Sequence, residues 1–134
     1  VSDQRFVDTN VLLYLIGPDG DKATRAEHIL ADGAWISVQV LNEFANVARR
    51  KHSLDWDELD HVLETIKSCC KVVALDEVTH RRGLAVARRY RLSVCDAMIV
   101  AAALELRCTL LWSEDLQHGQ VIDGLTVLNP FLPA

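Results

Sequence analysis

Short apolar runs alternate with longer segments of helical periodicity along this chain, and that alternation restricts the fold to a sheet layered with helices. The runs are RFVD (residues 5–8), AWISV (34–38), KVVAL (71–75) and TLLWS (109–113), with LTVLNP (125–130) as a last strand near the C-terminus. Helical patterns fill the intervals: TNVLLYLI directly after the first run, then KATRAEHILADG, QVLNEFANVARRKH, WDELDHVLETIKS, DEVTHRRGLAVARRY and SVCDAMIVAAALEL. GPDGD (17–21) reads as a turn, and Gly33 as a helix stop. Strands separated by helices imply parallel pairing, so the expected fold is α/β. It is an α/β/α sandwich around a mainly parallel sheet of four to five strands. A chain of 134 residues, half of them hydrophobic, suffices for one core. We therefore expect a single domain over residues 1–134.

A formal net charge of -5 gives no bulk attraction to polyanions. A nucleic-acid partner would need local basic patches or bound cations. Cys69, Cys70, Cys95 and Cys108 form no C-x-x-C pair and no regular framework, and are read as buried thiols in a reducing compartment. The chain begins without Met, which suggests a processed or trimmed start. It shows no basic-then-apolar leader and no apolar stretch near membrane-spanning length. The expectation is a soluble, cytoplasmic protein with no membrane partner.

Four acids occupy unusual places. Asp8 ends the first strand, where open α/β sheets bind ligands, although Asp at such a junction is also a preferred N-cap. Glu43 shares a helix side with Val40 and Val47, so it either finds a partner, faces a cleft or rolls into solvent. Asp96 opens the most apolar helix of the chain, and Ser93 and Asp96 also fit the S-x-x-D pattern of a capping box. Asp115 follows the fourth strand in SEDLQ, which a polar turn would explain as well. Four separate caps would account for each acid singly but not for their common placement at one edge of a sheet. Clustered carboxylates repel one another, and a hard cation bound through oxygen relieves that repulsion. Mg²⁺ or Mn²⁺ suits such a set, and phosphodiester hydrolysis suits such a site.

The order FVDTNVLLYL, LNEF, CDAMIVAAA and LLWSEDLQHG resembles the PIN-domain ribonucleases, and within them the VapC toxins of VapBC toxin–antitoxin pairs. The resemblance runs over nearly the whole chain in motif order. It implies a PIN-like domain in which Asp8, Glu43, Asp96 and Asp115 are the catalytic and metal-site acids, supported by Thr9, Asn10 and Ser113. It also implies metal-dependent endonucleolytic cleavage of RNA, a homodimer, and inhibition by a VapB-like antitoxin whose C-terminal segment lies across the toxin. After the fourth acid the pattern departs from the commoner family form. Leu116, Gln117, His118 and Gly119 stand where many members have another acid and an aromatic, which leaves the ligands of a second ion open. His118 is read as a loop residue.

Two basic stretches are candidate RNA contacts. In HRRGLAVARRY, helical geometry sets Arg81, Arg82, Arg88 and Arg89 on one side and Leu84, Val86, Ala87 and Tyr90 on the other; a solvated face or a partner interface fits equally. Arg49 to Lys51 close a helix where the dipole favours cations. Trp56, Leu59, Val62, Leu63 and Ile66 recur at helical spacing and line either the core or a partner groove. Against a D-x-D phosphatase stands Asn10 in the place of the second Asp. A silent binding module of the same fold would have no reason to keep four charges. A housekeeping RNA-processing nuclease would differ from a toxin in lacking an adjacent gene for a short DNA-binding protein.

Overall fold

The computed structural model describes residues 4–133, so the ends of the expected domain, residues 1–3 and 134, lie outside the described residues. Along the chain run β1 (Arg5–Val7), α1 (Thr9–Leu13), α2 (Gly20–Ala31), β2 (Ala34–Ser37), α3 (Val38–Lys51), α4 (Trp56–Cys69) and β3 (Cys70–Val73). They are followed by α5 (Glu77–Tyr90), α6 (Val94–Glu105), β4 (Leu110–Trp112), β5 (Val121–Ile122) and β6 (Leu125–Leu128).

The expected architecture is present, with one strand more than expected. The sheet order is β3-β2-β1-β4-β6-β5, parallel throughout except for β5 against β6. The additional strand is a two-residue hairpin arm whose turn, Asp123-Gly124, has φ of 48° and 90°. Both central residues at positive φ match the tight turn that joins short antiparallel strands, and Asp-Gly is its strongest sequence signal. TNVLLYLI does not stay one α-helix: it tightens into a 3₁₀ turn at Tyr14–Ile16 and stops at Gly17.

Strands β1, β2, β4 and β6 bury Phe6, Val7, Ile36, Leu111 and Val127. Against them pack Val40, Phe44 and Ala48, spaced at one helical stripe of α3, and an α6 buried without interruption from Ala97 to Leu104. The alanines of α6 carry little side chain, which lets neighbouring backbones come close to a helix hidden all round. Cys70 and Cys108 are buried as expected, and burial pushes their thiols up to about 12 and about 11. Cys69 and Cys95 are exposed, a correction to the reading of four buried thiols: Cys69 ends α4 and Cys95 lies in the solvent-facing first turn of α6. Among the described residues no helix is long and apolar enough to cross a membrane.

This topology fixes where a site can form. β2 leaves β1 on one side and β4 leaves it on the other, so the strand order reverses at β1, and a crevice opens beyond the carboxyl ends of β1 and β4. Asp8 follows β1, and Ser113 to Asp115 follow β4. α3 starts directly from the carboxyl end of β2, capped by Ser37.

Candidate functional site

A pocket of about 300 Å³ lies in that crevice, lined by Asp8, Glu43, Asp96 and Asp115, by Thr9, Asn10 and Leu13 of α1, and by Asn46, Val47 and Arg50 of α3. Four acids spread over 108 positions, from Asp8 to Asp115, thus converge on one cavity.

Asp8 is at once the N-cap of α1 and the floor of the pocket. Its Oδ1 accepts the Thr9 N–H at 2.7 Å, while its Oδ2 accepts the Ser113 hydroxyl at 2.7 Å and the Asn10 side-chain amide at 3.0 Å. The cap and the site, which the sequence left as alternatives, are the same carboxylate. Only 3% of Asp8 is exposed. Burial pushes its carboxyl up to about 7; the Ser113 and Thr9 hydrogen bonds offset part of that rise, and the charges of Asp96 and Glu43 add to it.

The supporting residues hold the acids in place. Thr9 donates its hydroxyl to Glu43 at 2.8 Å, and Gln39 donates to the other oxygen of Glu43 at 3.3 Å. Asn10 accepts the Glu114 N–H at 3.0 Å while donating to Asp8, so it ties the end of β1 to the segment after β4. Ser113 is fully buried behind Asp8 and also accepts the Leu116 N–H. At α6 the Ser93 hydroxyl caps the helix by accepting the Asp96 N–H at 3.1 Å, and the Asp96 carboxylate is left to line the pocket. Burial, with the charges of Glu43 and Asp115, holds Asp96 above the usual carboxylate range despite a lowering contact from Ser93.

The adjacent acids after β4 part company. Glu114 is bound by Lys22 at 2.7 Å and by the Tyr14 hydroxyl. Burial raises the Glu114 carboxyl, but Lys22 and Tyr14 more than offset that and leave it below its ordinary value. Lys22 sits 4.6 Å from the Tyr14 ring, and Tyr14 packs edge-on against Phe131. Asp115 has no such partner among the described residues and faces the pocket. Nothing local marks this division, because Lys22 lies 92 positions from Glu114.

The candidate RNA contacts of α5 do not line the pocket. Arg81, Arg82, Arg88 and Arg89 are exposed, and three of them pair with acids: Arg81 with Glu77, Arg82 with Glu105 and Arg89 with Asp123. Leu84 is exposed as well, contrary to its expected place on the inner side, because the inward stripe of α5 is Thr79, Gly83 and Val86. His118 is an exposed loop residue whose Nδ1 accepts the Asn129 N–H, in line with its reading. Of the α4 stripe, Leu59 and Ile66 are core and Trp56 is 65% exposed. Val62 and Ile66 also line a second cavity of about 410 Å³ with Leu15, Ile16 and Leu30, between α2 and α4. Sequence reasoning missed Asn46 and Arg50 as pocket residues. Their signal was the continuation of the Glu43 face at three and seven positions further along α3.

The donor set is oxygen-rich and acidic, which fits a hard divalent cation. Among the described residues no three His, Cys, Asp or Glu side chains stand close enough to form a ligand cage by themselves. That spacing is compatible with Mg²⁺, which commonly takes only one or two carboxylates and keeps waters or substrate phosphates.

The family model of the PIN domain matches residues 5–122. A comparison with curated proteins returns no match. Among solved structures the chain is similar to a toxin–antitoxin complex from Klebsiella pneumoniae, with 22% identity, 96% of this chain and 98% of that chain covered, and a TM-score of 0.73. It is similar to DNA-bound VapBC from Salmonella typhimurium, with 18% identity, 94% and 97% covered, and a TM-score of 0.71. It is also similar to VapC20 from Mycobacterium tuberculosis, described as a sarcin-ricin loop cleaving toxin, with 15% identity, 84% and 90% covered, and a TM-score of 0.69. At these identities the likeness is one of fold.

Proposed function

Because the chain belongs to the PIN domain family, we propose that it is a Mg²⁺- or Mn²⁺-dependent endoribonuclease and the toxin of a VapBC-type toxin–antitoxin pair. The observation that carries this reading is the convergence of Asp8, Glu43, Asp96 and Asp115 on one pocket at the strand-order reversal, with Asp8 buried and its charge opposed by its surroundings. A group held in that state gains most from a cation.

A bound Mg²⁺ or Mn²⁺ supplies Lewis acidity, which lowers the pKa of a water and stabilises the charge of the leaving oxygen. Asp8 and Asp96 are the first choices to hold it. Glu43, fixed by Thr9 and Gln39, binds the ion or orients the attacking water. Asp115 holds a second ion or acts through a water. Ser113 and Asn10 keep the Asp8 carboxylate oriented. In the reaction the water oxygen bonds to phosphorus, the bond to the 3′ oxygen breaks, and that oxygen takes a proton. The products carry 5′-phosphate and 3′-hydroxyl ends.

Neighbours of the same fold are toxin–antitoxin complexes, which supports a VapB-like antitoxin as partner of this chain. The apolar cavity between α2 and α4 offers such a segment Leu15, Ile16, Leu30, Val62 and Ile66. Exposed Val78 and Leu84 of α5 and Val94 of α6 offer surface to a second copy in a homodimer. The setting of this activity is the cytoplasm, where RNA is available.

The test is incubation of purified protein with a mixed pool of tRNA, rRNA and mRNA and either cation. Endonucleolytic fragments with 5′-phosphate ends, abolished by EDTA, are expected. Fragments that persist undiminished in EDTA would contradict the metal-dependent reading, and intact RNA at every cation concentration would contradict the nuclease.

A further inference from the structure

The pocket that gathers four acids has one basic side chain in its lining, Arg50. It stands seven residues after Glu43 on α3, about 10 Å further along the axis, with Asn46 and Val47 between them on the same face. Arg50 is exposed, and among the described residues it makes no hydrogen bond and no ion pair, even with the acids whose pocket it shares. Its neighbour Arg49 is committed elsewhere: it donates to the Leu54 carbonyl at 2.9 Å and lies 4.0 Å from the centre of the Trp56 ring. Lys22 is likewise held by Glu114.

We propose that Arg50 is a substrate-positioning residue that binds a backbone phosphate flanking the scissile one, so that α3 holds the RNA strand against the carboxylate site. The inference rests on the nuclease reading of that site. A protein of net charge -5 with an acidic pocket repels a polyanion. Cations held by the carboxylates neutralise the scissile phosphate only. A flanking phosphate needs its own counter-charge, and a guanidinium offers it a planar fork with two parallel hydrogen bonds. Helical side chains lean toward the N-terminus of their helix, which aims Arg50 back along the face that carries Asn46 and Glu43. The same reasoning passes over α5, where Arg81, Arg82 and Arg89 are already paired and none reaches the pocket.

The test uses the full chain and the variants Arg50→Ala, Arg50→Lys and, as a control, Lys67→Ala, an exposed α4 side chain paired with Glu64 and outside the pocket. Binding of a fluorescent single-stranded RNA of mixed sequence is followed by anisotropy with Ca²⁺ in place of Mg²⁺, and cleavage of the same RNA is followed with Mg²⁺. Arg50→Ala is expected to weaken binding about tenfold and to lower the salt slope by about one. KM rises in parallel while kcat stays within about threefold. Arg50→Lys loses about threefold, since it keeps the charge without the fork. Lys67→Ala stays within about twofold of the parent. Unchanged RNA affinity in Arg50→Ala would overturn the proposal, and a shift in half-saturating Mg²⁺ alone would make Arg50 a counter-charge to the acids instead. Arg50-dependent binding without cleavage keeps Arg50 as an RNA contact and removes the nuclease. Cleavage with Arg50-independent binding does the reverse. Absence of both binding and cleavage removes both.

Discussion

Asp96→Asn is expected to lower kcat for RNA cleavage by about 10³-fold or more, a loss of about 4 kcal/mol of transition-state stabilisation. The substitution keeps the shape of the side chain and the N-cap bond from the Asp96 N–H to Ser93, which uses the backbone. It removes one charge from a carboxylate that burial and its neighbours Glu43 and Asp115 already hold above the ordinary range. The folded state therefore loses only the carboxylate's contact with Ser93, which burial and repulsion outweigh, so thermal stability in EDTA should be equal to that of the parent or higher. Steady-state kinetics with Mg²⁺, paired with thermal unfolding in EDTA, checks both halves. A stable variant that remains active would refute the assignment of Asp96 to the site, and an unfolded variant would contradict the stability half.

Asp8 gives the second large effect, on stability and its pH dependence. Its carboxyl titrates at about 7 in the folded protein, against an ordinary value of 3.8. Between those values the folded state holds a proton that the unfolded state has lost, so stability falls as pH rises through this window. The penalty is small near the lower value and complete above about pH 7. From about pH 5.5 to about pH 8 the cost of the Asp8 charge grows by about 2 kcal/mol. In Asp8→Asn that contribution vanishes. The stability of Asp8→Asn minus that of the parent, from denaturant unfolding in EDTA, should therefore be about 2 kcal/mol more favourable to the variant at the higher pH. Titrations of groups remote from Asp8 cancel in this difference. A difference that does not change with pH would mean that the buried environment of Asp8 does not oppose its charge. The residue proposed to hold the cation thus weakens the metal-free fold, while Ser113, Thr9 and Asn10 fix its carboxylate at the floor of the pocket.

The fold was largely legible because its signals are local. AWISV gave β2, and the only slip was Val38, which α3 takes because Ser37 caps the helix one residue earlier than the apolar run ends. Asp123-Gly124 carried the hairpin signal for β5, but a two-residue strand is too short for an alternating pattern to register. The acids of the pocket were legible for a related reason. Asp8 and Asp115 follow strands, and Glu43 and Asp96 lie early in helices that begin at the same edge, so topology alone brings them together.

Long-range partners were not legible. Whether Glu114 or Asp115 faces the site depends on Lys22 and Tyr14, which compete for one acid and ignore the other. The arginines of α5 looked like a free basic face until Glu105 and Asp123 were brought against them by folding. Arg50 stood in a basic stretch that RNA contact and dipole complementation explained equally, and its place in the pocket follows only from how α3 lies beside α1, with Val40, Phe44 and Ala48 turned into the core. Charge type is written locally, but pairing is a property of the folded chain.

Calorimetric titration of Mn²⁺ into the parent protein and into Asp96→Asn, at about pH 6 and about pH 8, tests the proposed metal centre most directly. The account predicts saturable binding to the parent that is stronger at the higher pH and releases protons to the buffer at the lower one, as the cation displaces the proton of Asp8, with binding lost or greatly weakened in Asp96→Asn. Binding that is absent from the parent, or equal in parent and variant, would contradict the four-carboxylate site as a metal centre.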